Sequence, residues 1–146
     1  MQKKRLIFEC IVRQEEVAQA SQNLMNEAQQ MANDYGPPKD RYDAFRTKQM
    51  RLADIYSRQF DIAQSNIRTL KMINPDKISK CVEFGSIVCT DKQKMFVSIS
   101  LGKIDFENDT YYAISVKVPI FKVMEGKKEG EDFFFNGMKH KIISII

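Results

Sequence analysis

The side chains able to do chemistry are few, and most stand around one break in the chain, Gly36-Pro37-Pro38. Asp34 precedes it, Asp40 and Asp43 follow it, and Lys39, Arg41 and Arg46 lie among and beyond them. Carboxylates three residues apart at a helix start share one face, so Asp40 and Asp43 point together if a helix begins there. The same placement also suits purely structural work. Asp40, just after Pro-Pro-Lys, is a natural helix N-cap, and Asp43 in the first turn complements the positive end of the helix dipole. On the residues alone both readings stand. Asp34 reads as a turn residue.

Elsewhere the choice is narrower. There is one histidine, His140, and no tryptophan. A mechanism that needs a histidine base beside a separate nucleophile has a single candidate, which argues against hydrolase triads. His140 sits in the alternating run Met138-Lys139-His140-Lys141-Ile142 and is expected on a solvated sheet face. Cys10, Cys81 and Cys89 are odd in number and lack CxxC spacing. Buried reduced thiols, rather than a zinc cluster or a disulfide framework, are the expectation.

Composition bounds the class. Of 146 residues, 43% are hydrophobic and 29% charged, the balance of a foldable chain. No apolar run nears the ~20 residues of a membrane span. Leu6-Ile7-Phe8 after the basic start is too short for a secretory signal, so a cytoplasmic protein is expected. The net charge is +4. Residues 1–73 carry 12 basic against 9 acidic side chains, and residues 74–146 carry 11 against 10. That is too mild for gripping nucleic acid through phosphates alone. A protein partner and a monomeric chain fit better.

The elements that must position these residues change character near Asn74-Pro75. Residues 5–73 are rich in Ala, Gln, Glu, Met, Leu and Arg, all good helix formers. Apolar residues recur at helical spacing through Ile7, Ile11, Val17, Ala20, Leu24, Ala28 and Met31. A second series runs Phe45, Leu52, Tyr56, Ala63, Leu70 and Ile73. Proline lacks the amide donor and disfavours helix before it, so Gly36-Pro37-Pro38 divides two antiparallel arms. Gln49, Gln59 and Asn66 interrupt the stripe, as in the thin seam of a coiled coil. Arms of about 28 to 34 residues extend roughly 40–50 Å at ~1.5 Å per residue. Such a rod is expected to project, with its tip at about 34–43. Residues 74–80 read as a linker.

Residues 81–146 read as short strands and turns. Val82–Cys89 and Met95–Leu101 flank Asp91–Lys94, and Tyr111–Val116 is a third strand. Pro119 opens a short helix through Glu125 that Gly126 closes. Phe133-Phe134-Phe135 and Lys141–Ile146 flank Asn136-Gly137, a strong hairpin signal, and one of the three phenylalanines must face outward. The whole is an α+β chain: an antiparallel coiled-coil hairpin, then a small antiparallel sheet with one short helix.

The blocks Phe84-Gly85-Ser86-Ile87-Val88, Ala113-Ile114-Ser115-Val116, Pro119-Ile120 and Gly126-Lys127-Lys128-Glu129-Gly130-Glu131 resemble, in order, the C-terminal domain of the Gre family of transcript-cleavage factors. That domain has an FKBP-like fold, and the family's other part is a helical hairpin, so the resemblance spans nearly the whole chain. The short strand connection and the Asn136-Gly137 turn are similar to short Gre-like proteins of Bacteroidetes. Two departures stand out. Val118 replaces the serine that often precedes Pro-Ile, which weakens the helix start by ~1 kcal/mol. At the tip the family carries acids in a pattern like G-D-x-x-E-N. Aligned without gaps, Pro37 stands where the first acid belongs and Asp40 where the second does. Aligned on the acid spacing, Asp40 and Asp43 take the two places.

The resemblance implies a transcription elongation factor that binds RNA polymerase and inserts its tip into the secondary channel. There it stimulates the polymerase's own hydrolysis of backtracked RNA and is not an independent enzyme. Asp40 and Asp43 would help the polymerase hold Mg2+, a cation that prefers oxygen ligands and often takes only one or two protein carboxylates. Lys39, Arg41 and Arg46 would meet RNA or the channel wall. The surface around Pro119, Ile120, Lys122, Gly126 and Lys127 would dock on the polymerase rim. A regulator that occupies the same channel without promoting cleavage is the alternative. Peptidyl-prolyl isomerase activity, suggested only by the FKBP-like fold, ranks behind both.

Overall fold

The computed structural model describes residues 2–35 and 44–146. Helix α1 is Gln2–Asp34 and α2 is Ala44–Lys71. Neither contains a glycine or proline, and their Ala, Gln, Glu and Leu content sustains unbroken helix. Two compact units result: Cys10–Arg68, and Met1–Glu9 together with Thr69–Ile146.

In the first unit the helices pair along a seam spaced by threes and fours. On α1 it comprises the buried Gln14, Ala18, Ser21, Ala28 and Ala32 with half-buried Met25; on α2 it comprises the buried Gln49, Ala53, Ala63 and Ile67 with half-buried Tyr56 and Phe60. This corrects the expected stripe. Val17, Ala20, Leu24 and Met31 are exposed, as is Phe45, although Ala28 and Ala63 are buried as expected. The two candidate stripes on α1 share one period, so periodicity alone does not choose between them. Size and hydrogen bonding do. Alanines and Ser21 let the backbones approach closely, and Asn66 Nδ2 donates to Gln14 Oε1 at 2.9 Å across the seam. Gln49 and Asn66 therefore belong to the seam, whereas Gln59 is exposed.

The second unit is a six-stranded sheet, β1 Ile87–Thr90, β2 Lys94–Val97, β3 Gly102–Phe106, β4 Asp109–Ile114, β5 Asp132–Phe135 and β6 Met138–Ile145, ordered β3-β4-β2-β1-β6-β5. Helix α3, Pro119–Met124, lies between β4 and β5 in sequence. Three strand expectations need correction. β1 begins at Ile87 because residues 82–86 form turns, tied by Ser86 Oγ donating to the Glu83 carbonyl at 2.6 Å. β3 lies outside the expected strands; it pairs with β4 through a turn in which Glu107 and Asn108 both take positive φ, 49° and 64°. Asn favours this conformation, but Glu does not, so the sequence carried half of the usual signal. β2 and β4 pair in parallel, since the chain must place β3 at the edge before returning, so the sheet is mostly rather than wholly antiparallel. The Asn136-Gly137 hairpin forms as expected, with both residues at positive φ.

Alternation along the strands makes two buried faces. One holds Val88, Met95, Val97, Ile142, Ile145 and Phe133 against Phe121 and Met124 of α3, with Val82. The other parity buries Ile87, Phe96, Ile104 and Tyr111. The first turns of α1 are tied to this side of the unit. Gln2 Nε2 donates to the Tyr111 hydroxyl, Lys3 Nζ to the Lys77 carbonyl at 2.9 Å, and Arg5 pairs with Glu107 at 3.1 Å. Leu6 and Leu70 are wholly buried, each contributing ~1.5–3 kcal/mol of apolar burial. His140 is also buried, against expectation, because it stands opposite Phe133 in the β5/β6 register and stacks on its ring. Of the three phenylalanines, Phe134 faces outward. Cys10 is buried, whereas Cys81 and Cys89 are only half-buried; none of the three is in a disulfide.

Candidate functional site

Two places carry the residues singled out by sequence. The first is the end of the helical hairpin. Asp40, Asp43, Lys39 and Arg41 lie outside the described residues, and the geometry on either side of them is what the structure gives. Helix α1 has no basic residue in its last turn, yet its final carbonyls need donors. Arg46, from the start of α2, supplies one: its Nη1 donates to the Ala32 carbonyl at 3.1 Å. A guanidinium there also complements the negative end of the α1 dipole. Tyr35 and Phe45 pack with ring centroids 4.7 Å apart and planes tilted by 41°, joining the end of α1 to the start of α2. Gln30 Nε2 holds Asp34 Oδ1 at 2.8 Å. Arg46 thus has a structural bond that spacing alone does not reveal, because its partner is a main-chain oxygen on the other arm.

The second place is the surface of α3. Pro119 occupies the first turn, and Val118 precedes it at φ −75°, ψ 149° with no side-chain cap, as its apolar side chain dictates. Phe121 and Met124 point into the core, which leaves Lys122 and Val123 outward. Ile120 is half-buried against the core. Gly126, at φ 77°, ends the helix and donates its N–H to the Val82 carbonyl at 2.8 Å. Lys127 returns the favour, accepting from Val82 N–H at 2.8 Å through its own carbonyl. This two-bond clamp fixes the helix end against residue 82. Val116, Lys117, Pro119, Lys122 and Val123 are all exposed along this segment, so apolar side chains alternate there with lysines. Sequence singled out Pro119, Lys122 and Lys127 here but not Val116, Lys117 or Val123, whose pattern reads as strand end and helix core.

A third feature lies beside the α1 start. An open cavity of about 190 Å³ is walled by Lys3, Pro75, Asp76, Lys77 and Ile78 among others. Burial pushes the Lys3 ammonium pKa down, opposed by nearby Glu83. Lys77 pairs with Glu83 at 2.8 Å, and that hydrogen bond holds the Glu83 carboxyl below its ordinary range. The Lys3 ammonium already donates to a backbone carbonyl, which accounts for it structurally.

Among the described residues no group of three or more His, Cys, Asp and Glu side chains converges to hold a metal ion. Among them, too, no helix is long and apolar enough to cross a membrane. No family model matches the sequence, and no curated protein does. Among solved structures, the chain is similar to the GreA factor homolog 1 (Gfh1) protein of Thermus thermophilus, at TM-score 0.35 and 12% identity, over 93% of this chain and 94% of that one. A second structure, of the transcription factor Gfh1, aligns at TM-score 0.33 and 13% identity, over 92% of each chain.

Proposed function

We propose that this chain is a cytoplasmic transcription elongation factor that binds RNA polymerase and stimulates its cleavage of backtracked RNA. The observation that carries the reading is the pairing of parts. A long two-helix hairpin has acids in its connection, and a separate sheet unit bears Gre-like sequence blocks with exposed apolar residues and lysines interleaved around α3. In this reading the α3 surface, with Pro119, Lys122 and Lys127, docks on the polymerase. Asp40 and Asp43 offer hard oxygen ligands to a Mg2+ that the polymerase shares, while Lys39 and Arg41 neutralise phosphates nearby. Bound there, the metal would stabilise the attacking and leaving oxygens of RNA hydrolysis.

A specific feature favours a second reading. Pro37 stands in place of an acid when the tip is aligned without gaps, which suits a regulator that occupies the channel and leaves cleavage unstimulated. One assay separates the two. Added to stalled, backtracked complexes with Mg2+, the wild-type chain shortens the RNA, and Asp40→Asn with Asp43→Asn abolishes shortening while binding persists. Binding without shortening at any Mg2+ concentration installs the regulator instead. A chain that does not bind polymerase ends both readings.

A further inference from the structure

We infer that one face of the helical hairpin is an interface for a second copy of this chain, forming a reversible four-helix dimer. Of the large apolar side chains exposed in the first unit, six share one placement: Val17, Leu24 and Met31 on α1, and Phe45, Ile55 and Ile62 on α2, at 41–61% of full exposure. Each immediately precedes a residue that faces the other helix, namely Ala18, Met25, Ala32, Arg46, Tyr56 and Ala63. One residue back along an α-helix is a rotation of about 100°. Because α1 and α2 run antiparallel, those rotations, opposite in sense when viewed from one end, bring all six side chains to the same side of the hairpin. One residue forward leads to the other side, which carries Gln19, Gln22, Asn26, Asp54 and Asp61. The hairpin is therefore amphipathic as a two-helix layer, with its small-residue seam running between.

The occupant is constrained by period, charge and area. Val17, Leu24 and Met31 are spaced by seven, as are Ile55 and Ile62, and a seven-residue apolar repeat matches other helices of the same period, not a strand or a nucleic acid groove. The charges at equivalent positions, Arg13, Lys48 and Glu27, leave the face near neutral, which argues against a phosphate backbone. The layer from Phe45 to Asn66 is roughly 32 Å long and about 20 Å wide, so two such faces bury on the order of 1,300 Å² together. That lies at the low end of stable specific interfaces. An identical face related by a two-fold axis supplies the same apolar helical chemistry in the same length. This departs from the monomer expected from sequence and does not depend on the polymerase reading.

The test is the mass of the full chain in solution from about 1 μM to about 1 mM, by light scattering and sedimentation equilibrium. Wild type should rise from 17.0 kDa towards twice that mass. Leu24→Glu with Ile62→Glu puts four carboxylates into the dimer interface and should weaken association at least about 100-fold. Both sites are exposed, so circular dichroism should report unchanged helix. Met50→Glu, on the other side of the layer, should leave the dimer intact. Wild type that stays at monomer mass throughout overturns the proposal, as does a dimer untouched by the paired Glu variant or dissolved equally by Met50→Glu. If wild type is monomeric and the Glu pair instead weakens polymerase binding, the face belongs to the polymerase and the second copy is excluded.

Discussion

Asn66 donates to Gln14 across the helical seam at 2.9 Å, a side-chain to side-chain hydrogen bond that links the two arms. Gln14 is buried, so removing its partner leaves a polar amide out of water. Asn66→Leu alone should cost about 1–3 kcal/mol. Gln14→Leu with Asn66→Leu removes both polar groups and should recover that loss or exceed wild type, at the expense of register. Thermal unfolding of the two variants checks this; a double variant weaker than the single one contradicts it.

Gly85 has φ 88°, and a Cβ there would stand 3.1 Å from Ile73 Cγ2. Two costs add in Gly85→Ala: backbone strain in the left-handed region and crowding of Ile73. Together they should destabilise by about 2–3 kcal/mol. In an Ile73→Ala background the crowding is absent, so the same change should cost measurably less. Equal costs in both backgrounds would leave strain as the sole cause.

Asp91 Oδ1 accepts the Lys141 backbone N–H at 3.0 Å, and this bond, with Lys92 nearby, holds the Asp91 carboxyl below its usual range. A carboxyl depressed in the folded state stabilises the fold above its unfolded pKa, about 3.9. That contribution disappears as pH falls through the folded value. Asp91→Asn should therefore flatten the decline in stability below about pH 4 without abolishing it, since Glu83 is depressed as well. Urea unfolding at neutral and acid pH reads the difference.

The α3 surface offers a charge test. Lys122→Glu with Lys127→Glu reverses one lysine exposed on α3 and one just past its end, and the backbone bond by which Lys127 anchors Val82 is left in place. The fold should persist, and polymerase affinity should fall by about tenfold or more. Full affinity in the double variant moves docking to another surface.

Much of the architecture was legible because it rests on local rules. The two helix-forming runs emerge as α1 and α2, and Pro119 with Gly126 around α3 and Asn136-Gly137 each act through backbone geometry that composition announces. What stayed hidden depends on partners distant in sequence. Which stripe of α1 faces α2 is decided by close approach and the Gln14–Asn66 bond, not by period. β3 is not legible in the sequence because Glu107 sits at a positive φ that its side chain does not advertise. The parallel β2/β4 pairing follows from where β3 lies, a matter of topology. Arg46 illustrates the limit at the candidate site, since a main-chain carbonyl has no residue code to read.

His140 and Phe133 face each other in the β5/β6 register and stack at 4.8 Å with only 4° between ring planes. The histidine is buried, and its Nδ1 has no hydrogen-bond partner among the described residues. A buried polar atom without a partner costs roughly 1–3 kcal/mol, while the ring as a whole fills space beside the core. The ring and the nitrogen therefore act in opposite directions, and two substitutions separate them. His140→Phe keeps a flat ring against Phe133 and removes the orphan nitrogen, so it should leave stability unchanged or raise it by up to about 1 kcal/mol. His140→Ala deletes the ring and opens a cavity, so it should cost about 2–4 kcal/mol. Thermal melts of the three proteins in one buffer give the comparison. If phenylalanine proves as damaging as alanine, the nitrogen has a partner that stabilises it, and the orphan argument is wrong.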